Sequence, residues 1–430
     1  MENEIVKASI ITIGDELMIG QVTDTNSAWI AQQLNRVGIW IRKRVAVGDD
    51  RDEIRKALDE ESIASKIILI TGGLGPTADD ITKPLLCEYF GMKLVTNAEV
   101  LKHVQHLFEN IFKRPFTDIN RKQAEVPDGC TVLHNSRGTA PGMWFEKNDV
   151  IYVSMPGVPY EMKGMMTDIV LPMISKKITS GIIRHKTLLT AGIGESALAE
   201  HIREWESTLP SHIKLAYLPN YGMVRLRITG TGSNAQSLDD EMAGYFDKLA
   251  VLVRQWLVTD EDKTLVQVVS KMLKNANKKL VAAESCTGGY ISHLITSEPG
   301  SSALFTGSVV SYANSVKKEM LHVDQQTLEQ FGAVSEETVT AMVKGAVKQL
   351  KSDYCIATSG IMGPDGGTPE KPVGTVWIGV GNEKRVTVQR FNFRFDRSRN
   401  IEMTAVQGLN LLRKYLLEES VPGSGPSADR

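Results

Sequence analysis

The chain has 430 residues, of which 42% are hydrophobic and 23% are charged, fractions that are typical of a folded globular protein and exclude a disordered one. This length exceeds what one hydrophobic core usually serves, so we expect roughly two or three domains. The formal net charge is −2, from 49 basic and 51 acidic residues, and provides no positive field for direct binding to nucleic acid.

The amino-terminal part alternates short apolar runs with amphipathic segments. Residues 8–14 are predicted to be a buried strand, and residues 25–37 a helix that Gly38 ends. The alternation of strand and helix then continues through residues 39–47, 52–64, 66–70 and 80–90. This pattern predicts an α/β domain over residues 1–172, with a doubly wound parallel sheet covered by helices on both faces.

Two further domains are predicted downstream. Residues 173–258 read as a small α+β connecting domain, with strands at 186–190, 213–217 and 223–229 and helices at 195–205 and 238–256. Residues 259–417 read as another α/β domain, and residues 418–430 as a mobile tail with nothing to bury. Strands and helices of this last domain are predicted at 264–276, 279–283, 290–295, 308–312, 335–350, 354–358 and 374–380.

Cysteine usage and the lack of long apolar runs indicate the compartment. The four cysteines are far apart and form no CxxC pair, which argues against a zinc site and against a disulfide framework. The first nine residues lack the regions of a signal peptide, and no run approaches the roughly 18 apolar residues that span a bilayer. We therefore expect a soluble cytoplasmic protein without a membrane partner.

A serine lies where a strand of the third domain ends and a helix is predicted to begin, in Ala283-Glu284-Ser285-Cys286-Thr287-Gly288-Gly289. Its hydroxyl could lie among free backbone N–H groups, a placement that suits acyl transfer. Position alone equally allows Ser285 to be only the N-cap of the helix.

A second cluster, Ser308 to Lys317, brings Tyr312 and Lys317 to the end of the next strand. No histidine pattern indicates a Ser-His-Asp triad, whereas a lysine removed from water can act as a base toward serine. The alternative is that Lys317 belongs to a solvated helix start. A third cluster, around Thr358, Ser359 and Gly360, opens a glycine-rich stretch where an anion could rest or which is merely a long connection.

These motifs, AESCTGG, SYANSVK and SGIMGPDGGTPEKPVGTVW, together resemble the carboxy-terminal domain of the CinA (competence/damage-inducible protein A) family over about residues 270–410. The resemblance implies a nicotinamide-nucleotide amidase that needs no cofactor, with Ser285 as nucleophile and Tyr312 and Lys317 as proton handlers. Cys286 is then a neighbour of the nucleophile. Further residues implied to contact the substrate are Ser302, Thr358, Ser359, Gly360 and either Arg397 or Arg399, although the family's glycine before Asp396 is replaced here by Phe395.

A glycine-rich turn also follows the predicted strand 66–70, in Thr71-Gly72-Gly73-Leu74-Gly75-Pro76-Thr77-Ala78-Asp79-Asp80. Glycine amides can hold a phosphate, and paired carboxylates can hold a divalent ion that bridges phosphate oxygens. The alternative is that the acidic residues only cap a helix. His103 and His106 lack a matching carboxylate motif and are not expected to bind metal.

This turn, with GDELMIGQVTDTNS, NSRGTAPG and MPGVPYEM, resembles the amino-terminal, molybdopterin-binding-like domain of the same family over about residues 8–170. The resemblance implies a pyrophosphatase that acts on ADP-ribose, with Asp79 and Asp80 as ligands of a divalent metal ion and a homodimer as the assembly. The residues expected to contact that substrate are Gly72, Gly73, Gly75, Thr77 and Gly157. The alternatives are a molybdopterin-binding protein and a noncatalytic binding protein in DNA uptake and recombination.

Overall fold

The computed structural model describes residues 5–77 and 80–420 of the chain, so Asp79 and the last ten residues of the predicted tail lie outside the described residues. The structure divides into two compact units. One unit comprises the chain up to Arg184 together with Gly230–Glu241, and the other comprises His185–Thr229 together with the chain from Met242 onward.

The first unit is built on a six-stranded sheet with the order β2-β1-β3-β8-β7-β6, and β4 and β5 form a separate antiparallel pair. Its strands are β1 (Lys7–Ile13), β2 (Trp40–Val47), β3 (Ile67–Thr71), β4 (Leu94–Thr96), β5 (Glu125–Pro127), β6 (Thr131–Leu133), β7 (Gly142–Lys147) and β8 (Val150–Met155). Its helices are α1 (Asp15–Met18), α2 (Thr25–Arg36), α3 (Arg51–Ser62), α4 (Thr82–Phe90), α5 (Ala98–His106), α6 (Asp118–Arg121), α7 (Pro159–Met165) and α8 (Leu171–Lys177).

The parallel, doubly wound architecture predicted for this unit is confirmed for β2, β1, β3 and β8. The strands β7 and β6 extend the sheet in the antiparallel sense, which the sequence analysis did not predict. A two-residue turn with positive φ at Asn148 and Asp149 joins β7 to β8, and such a turn connects antiparallel neighbours.

Local sequence signals explain why the helices of this unit begin where they do. The Asp24 carboxylate caps α2 by accepting from the Ser27 N–H, and Asp50 caps α3 in the same way. The predicted helix 80–90 begins only at Thr82, because the carboxylate of Asp80 accepts hydrogen bonds from Gly75 and Thr77 in the preceding turn.

A four-stranded sheet with the order β10-β11-β9-β12 follows in the chain. Its strands are β9 (Ile182–Ala191), β10 (Ile213–Asn220), β11 (Met223–Gly232) and β12 (Leu257–Thr259), and its helices are α9 (Glu195–Glu206) and α10 (Ala235–Leu252). The predicted helix 238–256 ends at Leu252, because the chain turns there to pair β12 with β9. The α+β character of this segment is as predicted.

The carboxy-terminal sheet of the second unit has the order β14-β13-β15-β16-β17. Its strands are β13 (Leu280–Glu284), β14 (Phe305–Val310), β15 (Tyr354–Gly360), β16 (Thr375–Gly381) and β17 (Val386–Asn392). Its helices are α11 (Leu265–Asn275), α12 (Tyr290–Thr296), α13 (Asn314–Leu321), α14 (Gln325–Gln330), α15 (Glu336–Leu350) and α16 (Arg397–Glu419). Only β14, β13 and β15 run parallel, and this is the part of the sheet that carries the candidate site.

The last helix, α16, extends beyond the predicted end of the domain at residue 417. Glu418 forms an ion pair with Arg385, and Glu419 accepts a 2.6 Å hydrogen bond from the Tyr354 hydroxyl. These contacts hold the first two residues of the predicted tail in the helix. Among the described residues, no helix is both long enough and apolar enough to cross a membrane.

Candidate active site

Ser285 lies directly after β13, the middle one of the three parallel strands, where the carboxyl ends of these strands meet. Its backbone N–H donates a 3.0 Å hydrogen bond to the carbonyl oxygen of Thr358 on the neighbouring strand β15. The residue is only 8% exposed. The main chain therefore fixes Ser285 independently of its hydroxyl group.

Lys317, in the first turns of α13, brings its amine to this serine. Lys317 Nζ lies 3.0 Å from Ser285 Oγ, and it also donates to the carbonyl oxygens of Ser311 at 2.6 Å and Tyr312 at 3.4 Å. Lys317 is 1% exposed, and no carboxylate among the described residues forms a salt bridge with it. Burial lowers the pKa of Lys317, so the neutral amine that can accept a proton from Ser285 is favoured.

The buried carboxylate of Glu284 occupies the amino terminus of α12. It accepts hydrogen bonds from the backbone N–H groups of Gly289, Ile291 and Ser292, and from the Ser292 hydroxyl at 2.5 Å. The sequence led us to expect free backbone N–H groups of the helix around the Ser285 hydroxyl. This expectation is wrong for the N–H groups of Gly289, Ile291 and Ser292, because they already donate to the Glu284 carboxylate. The alternative that Ser285 is the N-cap is also wrong, because α12 begins after Gly289, whose φ is +101°.

Cys286 follows the serine and is buried at 6% exposure. Burial raises the pKa of its thiol to about 12, so the reactive thiolate is scarce near neutral pH. The neighbouring Thr287 hydroxyl pairs with that of Thr358 at 2.8 Å. Of the two adjacent side chains, Ser285 alone contacts the amine of Lys317.

Tyr312 and Arg397 form a second, exposed pair. Arg397 donates from Nη1 to the carbonyl oxygen of Gly363 at 2.8 Å and from Nη2 to the Tyr312 hydroxyl at 3.1 Å. The Tyr312 side chain is 65% exposed and, among the described residues, its hydroxyl forms no hydrogen bond with Ser285 or Lys317. The role of Tyr312 as a proton handler stays a prediction. In the structure, its hydroxyl accepts a hydrogen bond from Arg397.

The remaining predicted contacts of this site are dispersed. The Ser359 hydroxyl donates to the Ala333 carbonyl oxygen at 2.6 Å, and Gly360 packs closely against β16. Ser302 is exposed in a 3₁₀ turn, and none of its hydrogen bonds in the described chain reaches Ser285. Arg399 stacks on Phe395 and lines a separate cavity of about 650 Å³, so the structure does not bring it to Arg397.

In the first unit, a cleft of about 450 Å³ lies at the carboxyl ends of β1, β3 and β8. Of the residues predicted here, Gly72, Gly73, Gly75, Gly157 and Asp80 line it. Gly72 has φ +115°, and a Cβ on it would lie 2.1 Å from the Ile13 carbonyl oxygen, so the turn requires glycine. The open edge of the parallel strands is where such sheets bind ligands.

The carboxylate of Asp80 is already engaged within this turn. It accepts from the N–H groups of Gly75 at 2.7 Å and Thr77 at 2.9 Å, and from the Thr77 hydroxyl at 2.5 Å. Within residues 5–77 and 80–420, no three side chains of His, Cys, Asp or Glu lie together as a metal site requires. Because Asp79 lies outside the described residues, the metal site that the resemblance implies stays a prediction.

Comparison with known proteins assigns the chain to a family. Consecutive segments match the family profiles "Probable molybdopterin binding domain" (residues 9–176), "Damage-inducible protein CinA KH domain" (185–257) and "CinA C-terminal domain" (262–416). A CinA-like protein from Cytophaga hutchinsonii is 46% identical over 97% of this chain and 99% of its own length. The chain belongs to the CinA family, as its motifs predicted.

Other similar proteins carry the same family name. A CinA-like protein from Flavobacterium psychrophilum is 44% identical over 96% of this chain and 99% of its own length. A crystal structure titled as a CinA superfamily protein from Klebsiella pneumoniae shares 30% identity and covers 36% of this chain and 96% of its own, with a TM-score of 0.35.

Proposed function

We propose that the carboxy-terminal domain hydrolyses nicotinamide mononucleotide to nicotinate mononucleotide and ammonia. The observation that carries the proposal is the 3.0 Å contact between Ser285 Oγ and Lys317 Nζ in a buried site. A serine paired with a desolvated lysine that lacks a carboxylate partner is suited to attack an amide carbon. The substrate itself comes from the family resemblance of the motifs that hold these two residues.

In the acylation step, neutral Lys317 takes the hydroxyl proton while Ser285 Oγ bonds to the amide carbon. The C–N bond then breaks, and the Lys317 ammonium returns the proton to the departing nitrogen, which leaves as ammonia. The Cys286 N–H directly follows the nucleophile and is not among the amides that Glu284 occupies, so it is our candidate donor to the oxyanion.

In the deacylation step, a water molecule attacks the ester carbon while Lys317 again takes a proton. The bond from Ser285 Oγ to that carbon breaks, and the serine recovers its proton from the lysine. Nicotinate mononucleotide is released and both residues return to their starting state. No cofactor takes part in either step.

Incubation of the full-length protein with nicotinamide mononucleotide tests this proposal. We expect ammonia and nicotinate mononucleotide to form in equal amounts. If neither forms, the amidase proposal fails, and a noncatalytic binding role in DNA uptake or recombination is favoured instead.

Arg397 is expected to bind the phosphate of this substrate, because its guanidinium is exposed, contacts the Tyr312 hydroxyl and offers a fork of donors. Arg397→Met should raise KM for nicotinamide mononucleotide by roughly 10- to 100-fold and change kcat little, since lost ground-state binding acts on KM. Steady-state kinetics of ammonia release measure both constants.

Arg399→Met is the matched control, because it removes the same group two residues further along α16, in the separate cavity. We expect it to leave KM nearly unchanged. The opposite pattern, a raised KM for Arg399→Met alone, would assign the substrate phosphate to Arg399.

We propose a second activity, ADP-ribose pyrophosphatase, for the glycine-lined cleft of the first unit. The position of that cleft at the ends of parallel strands supports a phosphate-bearing ligand. We also propose that the protein works in a reducing cytoplasm and forms a homodimer. None of its four cysteines forms a disulfide bond. Tight binding of a molybdopterin without any cleavage would favour the alternative role of this domain.

Removal of divalent metal ions with EDTA tests whether ADP-ribose cleavage depends on a metal ion bound by Asp79 and Asp80. We expect EDTA to abolish ADP-ribose cleavage and added Mg²⁺ or Mn²⁺ to restore it, with the two products separated by chromatography. Cleavage that continues at an unchanged rate in EDTA would refute the metal-binding role of both aspartates.

A further inference from the structure

We propose that Glu284 is a positioning residue of the amidase site, which holds in place the turn that carries the Cys286 N–H, our candidate donor to the oxyanion. The inference rests on the proposed amidase function for the reaction itself. Glu284 is assigned no contact with the reacting atoms, and it acts through the main chain of the turn between β13 and α12.

Glu284 is a buried carboxylate, and the side-chain hydrogen bonds that it accepts all come from the start of α12. Its Oε2 accepts from the N–H groups of Gly289 and Ile291, both at 3.0 Å. Its Oε1 accepts from the N–H group of Ser292 at 2.9 Å and from the Ser292 hydroxyl at 2.5 Å. No lysine or arginine of the described chain forms an ion pair with it. A charged group this deeply buried is costly unless it is compensated, so these hydrogen bonds hold the carboxylate in one place.

The turn itself contains two glycines in the left-handed region. Gly288 has φ +60° and Gly289 has φ +101°, and the Gly288 N–H donates to the Ser285 carbonyl oxygen at 3.3 Å. Because glycine allows many backbone conformations, local preference alone does not select this one. Glu284 closes the turn, since it belongs to the last residue before the turn and binds the residues that follow it.

The main chain of Glu284 contributes to the other half of the site. Its carbonyl oxygen accepts a 2.8 Å hydrogen bond from the Ser311 N–H, and the Ser311 carbonyl oxygen accepts from Lys317 Nζ at 2.6 Å. A neutral amine has two N–H bonds and one lone pair. When it donates to the carbonyl oxygens of Ser311 and Tyr312, its lone pair is left for Ser285 Oγ. The sheet thus fixes the base, and the Glu284 carboxylate fixes the turn after the nucleophile.

Loss of this carboxylate should therefore displace the oxyanion donor. Removal of one such donor typically lowers kcat by about 100- to 1000-fold, and we expect a displaced donor to cost less, roughly 10- to 100-fold. The oxyanion forms only after the substrate is bound, so KM should change little.

Labelling of Ser285 with a fluorophosphonate tests the inference without nicotinamide mononucleotide. In this reaction Ser285 Oγ bonds to phosphorus, fluoride leaves, and Lys317 takes the hydroxyl proton, while an oxyanion donor holds the phosphonyl oxygen. Mass spectrometry of the full-length protein follows the rate. We expect Glu284→Ala to be labelled at least about tenfold more slowly than the wild type.

Glu284→Gln separates the role in hydrogen bonding from simple packing, because glutamine fills nearly the same volume. Whichever way its carboxamide turns, the NH₂ group faces an N–H donor, either those of Gly289 and Ile291 or that of Ser292. We expect its labelling rate to lie between those of the wild type and Glu284→Ala. If Glu284→Ala does not fold, as judged by thermal unfolding, Glu284→Gln carries the test.

Asp353→Ala is the matched control, because its carboxylate binds the main chain at the opposite end of β13. Asp353 Oδ2 accepts from the Lys279 N–H at 2.7 Å, one residue before the strand begins. This variant should lose stability, and its labelling rate should stay within about twofold of the wild-type rate.

Ammonia release from nicotinamide mononucleotide then separates the inference from the proposed function. For Glu284→Ala we expect a kcat lowered by roughly 10- to 100-fold at a nearly unchanged KM. Wild-type labelling rates in Glu284→Ala or Glu284→Gln, or a wild type in which Ser285 is not labelled, would overturn the inference. Labelling of Ser285 that depends on Glu284, without ammonia release by the wild type, would contradict only the amidase proposal.

Discussion

Ser285→Ala is expected to lower ammonia release from nicotinamide mononucleotide by at least about 1000-fold, because no other hydroxyl or thiol in the described part of the chain is hydrogen-bonded to Lys317. The fold should persist, since the hydrogen bond from Ser285 to Thr358 uses the main chain. Ammonia release under single-turnover conditions and a thermal unfolding curve measure the two effects separately.

Cys286→Ala is the matched control for this prediction. The thiol is buried and stays protonated near neutral pH, so its removal should change the rate by less than about threefold. If Cys286→Ala were inactive while Ser285→Ala kept its activity, the nucleophile would be sulfur and the proposed mechanism would be wrong.

Lys317→Met should cause a loss of similar size, because it removes the base and the acid of both steps. In the wild type, kcat/KM should rise with pH as Lys317 loses its proton, since only the neutral amine is a base. Burial lowers the pKa of Lys317, so this rise should lie below the ordinary lysine value of about 10.4. The residual activity of Lys317→Met should lack the rise.

Lys318→Met controls for the loss of a lysine from the same helix. Lys318 is exposed and hydrogen-bonded to Gln325, so its variant should keep the wild-type rate and pH profile. A pH profile that survives in Lys317→Met would show that another group supplies the base.

Local signals made part of the fold predictable. The segments that became α2 and α3 carry a clear apolar stripe, and their predicted bounds differ from the structure by no more than two residues. The antiparallel strands β7 and β17 and the long helix α16 were not predicted. Their pairing and burial depend on partners distant in the chain, which a local pattern does not reveal.

In the candidate site, too, some features could be predicted from the sequence and others could not. Ser285 and Lys317 follow two neighbouring parallel strands, β13 and β14, so their proximity could be anticipated from the order of strand ends. The hydrogen bonds of Tyr312 with Arg397 and of Glu284 with α12 depend on where each side chain points after its turn. Those directions are set by backbone angles such as the positive φ of Gly288 and Gly289.

The position of Glu284 bears on how the proposed active site would discriminate among cellular anions. A vacant helix terminus attracts phosphate of any origin, including the inorganic phosphate that is abundant in cells. Here the Glu284 carboxylate accepts hydrogen bonds from three N–H groups at the terminus of α12, so these groups are not free to bind a phosphate beside Ser285, the proposed nucleophile. In the proposed amidase reaction, selection of the nucleotide would then depend on other side chains, of which Arg397 is our candidate.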